Sequence, residues 1–232
     1  MRDLRDRDSL KSALVGCKTL YHTAAYYSLW NRDKQIIYDI NVQGTRNILQ
    51  SALESGIEKV VYTSTVGCIG LSDNGSPANE DQPMNPAFLC NDYKLSKYQS
   101  EQVALELFGR GLPVVIVNPS TPVGPRDIKP TPTGKIILDF MNHKMPAYID
   151  TGLNLIDVND CARGHILAEE KGQPGERYIL GNKNMSLKEI LLALETITGI
   201  KAPRIKMPYW VAYATGLACE WVSDSITHRP PP

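Results

Sequence analysis

Two short runs limit the architectures open to this chain. Lys59–Ser64 reads KVVYTS and Val114–Val117 reads VVIV. Neither alternates apolar with polar residues, so neither suits a sheet with one wet face. Both suit parallel strands buried on two sides. Helical stretches separate them. Asp39–Gly56 places Ile40, Ile48, Leu49, Ala52 and Leu53 on one side, an amphipathic pattern of helical period. Asn91–Gly109 opens on a capping Asn91 or Asp92 and closes on Gly109, the expected start and stop signals. A shorter strand, Lys18–His22, comes earlier, after a helix capped by Asp8-Ser9 and ended by Gly16. Strand and helix alternate from Leu20 to Val117, which predicts an α/β fold: a doubly wound parallel sheet with helices on both faces.

In such sheets ligands bind at the carboxyl ends of the strands. That rule puts Ala24-Ala25, Ser64-Thr65 and Asn118-Pro119-Ser120 along one edge. Small residues directly after a strand let a cofactor approach the backbone. They serve equally for tight strand–helix packing. The Asn91–Gly109 helix carries Tyr93 and Lys97, four residues apart and therefore on one face. A phenol ordinarily titrates near pH ~10, too high to exchange protons readily at neutrality. An ammonium one turn away is expected to lower that value and make the pair a general acid/base. With the Thr65 hydroxyl to orient a carbonyl, Tyr93 to exchange its proton and Lys97 to tune the phenol, the set suits alcohol–carbonyl interconversion.

Lysines plus arginines number 25, as do aspartates plus glutamates. A balanced charge offers nothing to nucleic acid or an anionic membrane. The five cysteines are scattered without a C-x-x-C pair, which points to a reduced, cytoplasmic protein. The amino terminus is charged from its second residue, unlike a signal peptide. The weakly polar run Met207–Cys219 is too short to span a bilayer. His143, His165 and His228 show no ligand spacing, so no metal is expected, and His22 fits a packed strand-end histidine better than a proton relay. Beyond residue 120 the segment Pro122–Asp127 is rich in turn residues. Helices are expected from Thr133-Gly134 to about Asn142, from Asp160 to Glu170, after a Ser186/Glu189 capping box, and from Tyr209 to Val222. Tyr178–Leu180 adds a strand. The boundary falls near residue 120: a partial dinucleotide-binding domain over 1–120, then a mostly helical substrate region over 121–232 with segments returning to the core.

Five motifs carry a resemblance. His22-Thr23-Ala24-Ala25, Asn41-Val42-Gln43-Gly44-Thr45-Arg46-Asn47, Val60–Thr65, Tyr93-x-x-x-Lys97 and Asn118-Pro119-Ser120 resemble, in order and spacing, the extended short-chain dehydrogenase/reductase family. That family includes sugar-nucleotide epimerases, dihydroflavonol reductases and hydroxysteroid dehydrogenases. VGPRDIKPTPTGKIILDF and DTGLNLIDVNDCARGHILA are similar to its hopanoid-associated sugar epimerases. The resemblance implies a Rossmann-type fold and NAD or NADP as cofactor. It implies Thr65, Tyr93 and Lys97 as catalytic residues, with Lys97 also gripping the nicotinamide ribose. Ala24, Ala25, Ser64, Asn118, Pro119 and Ser120 would line the cofactor, and Asn41 would support the site. It further implies a homodimer through a four-helix interface made by the Tyr93 helix and the Asp39–Gly56 helix.

The family's G-x-x-G-x-x-G turn, which holds the cofactor pyrophosphate on a helix amino terminus, has no match here. Gly67-x-x-Gly70 and Gly172-x-x-Gly175 lack the third glycine. The chain is therefore expected to begin at the family's third strand, without the first strands and the adenosine–pyrophosphate site, and to stop early at the other end. Dehydration is disfavoured, because Val66-Gly67 rather than an Asp-Glu pair follow Thr65. An epimerase would need cations for a nucleotide diphosphate, for which Arg204 or Lys206 are candidates. Tyr26, Tyr27 and Trp30 are candidates to line an apolar substrate pocket, which would favour a reductase of a lipid-like or polycyclic alcohol, with core packing the better explanation for at least one of the three. A non-catalytic binding or regulatory module on the same fold is the alternative.

Overall fold

A computed structural model describes residues 3–28, 33–72, 75–89, 91–128 and 130–222. Along the chain come α1 (Arg7–Leu14), β1 (Thr19–His22), α2 (Gln35–Tyr38), α3 (Gly44–Glu54), β2 (Lys59–Thr63), α4 (Asp92–Gly109) and β3 (Val114–Pro119). There follow β4 (Thr121–Val123), α5 (Pro132–Met141), β5 (Ala147–Tyr148), β6 (Gly152–Asp157), α6 (Val158–Lys171) and β7 (Arg177–Leu180). Then come β8 (Lys183–Ser186), α7 (Leu187–Thr198), β9 (Ile205–Lys206) and α8 (Tyr209–Val222). The chain divides into two compact units, Met1–Ser120 with Cys161–Leu180, and Thr121–Asp160 with Gly181–Pro232.

The first unit is built on a wholly parallel sheet of order β1-β2-β3-β7. Successive residues of a strand face opposite sides, and the two apolar runs fill both. Val60, Tyr62, Val114 and Ile116 pack with Leu10 and Leu14 of α1, Ile48, Leu49 and Ala52 of α3, and Val103, Ala104 and Leu107 of α4. Val61, Val115 and Val117 turn the other way, onto Ala168 of α6. The sheet is thus covered on both sides, which is why its strands tolerate no polar alternation. Burying a side chain such as Leu49, fully inaccessible here, contributes roughly 1.5–3 kcal/mol.

The helix boundaries differ from the expectation in several places. Gly109 is still helical in α4, and Gly111 is the residue with positive φ, 99°. α5 starts at Pro132 behind a Thr131 cap, and α6 starts at Val158, which puts Asp160 in its first turn. Asp6, not Asp8, caps α1, its side chain accepting from the Ser9 amide. The helix expected from Asp39 begins earlier, at Gln35, and passes through one π-helical stretch at Asp39–Gln43 before α3. Such an inserted residue re-aims the side chains around it.

The second unit holds a three-stranded sheet, β4-β6-β8, and a β5-β9 pair. Phe140, Leu187, Leu191 and Ala202 form its core. The α7 capping box is present, with Ser186 and Glu189 bonded reciprocally, and Gly199 ends the helix at φ 75°. This region is less purely helical than its sequence suggests. Strands of two or three residues, such as β4, β5 and β9, are too short to show a period of two. Among the described residues no helix is long and apolar enough to cross a membrane.

Candidate active site

Because β1, β2 and β3 run parallel and in register (His22 beside Tyr62, Thr63 beside Val117), their carboxyl ends share one edge. Thr23, Ala24 and Ala25 leave β1 exposed. After β2, Thr65 turns the chain: its Oγ1 accepts from the Gly67 amide at 3.2 Å and caps the 3-10 turn Val66–Cys68. Gly67 lies between Thr65 and α4. A Cβ there would sit 3.5 Å from Thr65 Cγ2 and 3.9 Å from Lys94 Cγ. The strand end carrying Thr65 therefore meets the first turn of α4, which Asn91 caps.

The half of α4 nearest the strand ends buries polar residues, Ser96, Lys97, Ser100 and Glu101, before the apolar Val103, Ala104 and Leu107 take over. Lys97 is 3% exposed. Its ammonium donates to the Thr63 carbonyl at 2.7 Å and the Tyr62 hydroxyl at 3.2 Å. Burial pushes it down to about 8, opposed by the nearby Cys68 and Glu101. Tyr93, half-buried one turn earlier, meets Tyr27 edge to face with ring centroids 4.5 Å apart. Burial raises its hydroxyl to about 12, with Tyr27 and Cys68 pushing the same way. The expectation that Lys97 lowers the Tyr93 pKa is thus not met in this structure. The ammonium is bonded to β2, and the phenol is largely withdrawn from water beside Tyr27, where its charged form is penalised.

The segment after β1 hangs on Asn41. This residue is buried inside the π-helical stretch, accepts from the Tyr26 amide at 2.7 Å, and donates to the Tyr26 carbonyl and to Ser96 Oγ, both at 3.0 Å. Tyr26 is therefore tied to α4, while Trp30 lies outside the described residues. His22 is buried, with Nε2 3.0 Å from Thr45 Oγ1. That contact fits the packed histidine that the sequence favours.

At the end of β3, Asn118 and Pro119 are buried and Ser120 is half-buried. Asn118 Nδ2 donates to the Thr65 carbonyl at 2.9 Å and to Glu101 Oε2 at 3.0 Å. Its Oδ1, and the Ser120 hydroxyl, are buried without a partner among the described residues. Two orphaned polar atoms at a sheet edge fit a ligand carrying a polar group of its own. The sequence reading missed Glu101, which accepts from Ser64 Oγ as well as Asn118. A lone acid in a helix looks like a solvated charge. Its place four residues after Lys97, on the same face, was the available signal. Arg204 and Lys206, the candidate diphosphate cations, are paired with Glu195 and Asp150. In the second unit a cleft of about 480 Å³ is lined by Val123, Arg126, Ile137, Leu138 and Val158 among others. Among the described residues no cluster of three metal-binding side chains forms.

The model of the NAD dependent epimerase/dehydratase family matches residues 2–181. The chain is 50% identical over 228 residues to the "Putative dihydroflavonol 4-reductase" of Synechocystis, covering 97% of this chain and 65% of that protein. It is 39% identical over 206 residues to sterol demethylase protein B of Methylococcus capsulatus, covering 89% of this chain and 62% of that one. The chain thus spans somewhat less than two thirds of the length of each. The crystal structure of gox2253 superposes with a TM-score of 0.87 at 47% identity, covering 99% of this chain and 70% of that one. Fold, motif order and sequence similarity agree: the chain belongs to the NAD dependent epimerase/dehydratase family.

Proposed function

We propose that this protein interconverts an alcohol and a carbonyl with NAD or NADP, and that this chain carries the acid/base part of the active site. The observation that carries the proposal is the α4 face. Tyr93 and a buried Lys97 ammonium stand at the strand ends, beside the turn that Thr65 caps. The nicotinamide cofactor, when bound, supplies or accepts the hydride. Lys97, Ala24, Ala25, Ser64, Asn118, Pro119 and Ser120 would hold it, with Asn118 Oδ1 and the Ser120 hydroxyl as the unpaired polar atoms that suit it. Thr65 hydrogen-bonds and orients the substrate oxygen. In reduction Tyr93 gives that oxygen the phenolic proton; in oxidation it takes the proton back. An ammonium has three protons. The two acceptors on β2 leave Lys97 one for a ribose hydroxyl.

The substrate reading we favour is an apolar ring-bearing alcohol or ketone, polycyclic lipids of the hopanoid kind included. Tyr26 and Trp30, with Thr65 and Tyr93, would line its pocket. The dihydroflavonol-reductase and sterol relatives support this, and so does the pairing of Arg204 and Lys206 in surface ion pairs. A sugar-nucleotide epimerase would want such cations free. A non-catalytic module gains no support from these relatives. By family analogy two copies pair through α3 and α4 in the cytoplasm, a dimer that sedimentation of the purified chain would test.

Titration calorimetry of the chain with NADH and NADPH comes first, followed by turnover of flavonoid and steroid ketones. Tyr93→Phe should lower turnover by about 10²-fold or more while cofactor affinity is kept. Full activity in Tyr93→Phe would refute the assignment.

A further inference from the structure

Among the described residues one buried acid, Glu101, is bonded to three side chains and has no part in the proton transfer above. Glu101 is wholly buried and lies eight residues, about two helical turns, after Tyr93. It therefore shares the face of α4 that carries Tyr93 and Lys97. Its Oε2 accepts from Ser64 Oγ, just past β2, and from Asn118 Nδ2, on β3, at 3.0 Å. Its Oε1 accepts from Arg177 Nη1, on β7, at 3.4 Å. The same Asn118 amide donates to the Thr65 carbonyl at 2.9 Å, which also receives the Cys68 amide at 3.0 Å. Behind it, Arg177 donates to the Glu80 carbonyl, and Glu80 Oε1 accepts from the Ile179 amide at 2.8 Å.

We propose that Glu101 is a positioning residue of this site. Its carboxylate locks the Thr65 turn and the end of β3 to the helix face that carries Tyr93 and Lys97. The proposal rests on the roles assigned above to Thr65, Tyr93 and Lys97. Three strands converge on one side chain, and two of them end in the proposed ligand-holding residues. An ionised carboxylate only accepts hydrogen bonds, and here every partner is a donor. Glutamine at 101 has nearly the same volume but presents an amide to at least one of those donors, so the lock opens without a cavity.

Glu101→Gln and the parent chain would be compared without cofactor or substrate, by amide hydrogen exchange and by NMR titration of Lys97 Nζ. The amides of Cys68 and Ile69, bonded within the turn, should exchange about tenfold faster in Glu101→Gln, as when one hydrogen bond is lost locally. Exchange at Ile48 and Leu49 in α3 should be unchanged. The Lys97 titration should move lower, because the carboxylate that supports its ammonium is gone. Uniformly faster exchange, or an unmoved Lys97 titration and unmoved Cys68 exchange, would overturn the proposal. If Glu101→Gln does not fold, Ser64→Ala decides. It removes one donor, so selective acceleration at Cys68 supports the proposal and its absence refutes it. These readings are independent of turnover. Activity retained in Tyr93→Phe would thus defeat the proposed reaction and leave the locking role to stand or fall alone.

Discussion

Acidification should destabilise this protein through one buried imidazole. His22 is 3% exposed, its Nε2 lies 3.0 Å from the Thr45 hydroxyl, and its ring centroid is 5.5 Å from that of Tyr62. Burial, with the Lys97 charge adding to it, pushes its pKa from 6.5 down to about 3. A histidine whose folded pKa lies below its unfolded value loses stability as pH falls. The unfolded chain takes up the proton near pH 6.5, and the folded chain refuses it until about 3. Between about pH 7.5 and about pH 5 the unfolded state gains ~2 kcal/mol from that proton and the folded state almost nothing. Surface carboxylates such as Glu54, held below its usual range by Lys11, also lose partners in acid. The informative quantity is therefore the difference between two proteins. His22→Gln keeps a polar group beside Thr45 and cannot titrate. Urea unfolding of both at the two pH values should show the parent losing ~2 kcal/mol more than His22→Gln. Parallel losses would mean that His22 is free to protonate in the folded chain, and the packing described around it would be wrong.

Other substitutions follow from the same geometry. Burial holds Lys97 near 8 against an ordinary 10.5, so its stability penalty is present at neutral pH and disappears as pH rises from about 8 through that ordinary value. Lys97→Met should stabilise the chain by about 2 kcal/mol at pH ~7, some 3 kcal/mol of relieved desolvation less about 1 for the Thr63 carbonyl left unpaired, read as a higher urea midpoint. A lower midpoint would contradict it. Leu49→Ala, at a site with no accessible surface, should cost 2–5 kcal/mol in the same assay; a loss under about 1 would show that the α3–sheet contact is looser than described. Gly70→Ala would place a Cβ 2.1 Å from the Pro83 carbonyl oxygen. It should detach the segment around Gln82, seen as faster exchange of the Gly70 amide that now bonds the Gln82 carbonyl, and unchanged exchange would refute that close approach.

Local physics alone determined much of this molecule. KVVYTS and VVIV have no polar alternation, so they had to be buried on both faces, and β2 and β3 are. Tyr93 and Lys97 had to share a helix face, because a turn of helix is shorter than four residues. Ser186 and Glu189 formed their capping box because both partners lie within one turn. Other features needed the tertiary structure, because they depend on distances between residues far apart in the chain. No local pattern says that the Lys97 ammonium bonds β2 and that Tyr93 rests against Tyr27, so the sign of the Tyr93 shift was not legible. Nor does one say that Glu101 is a buried junction rather than a solvated charge. Its partners Ser64, Asn118 and Arg177 lie 37, 17 and 76 residues away, and only the parallel packing of β2, β3 and β7 under α4 brings them to one carboxylate.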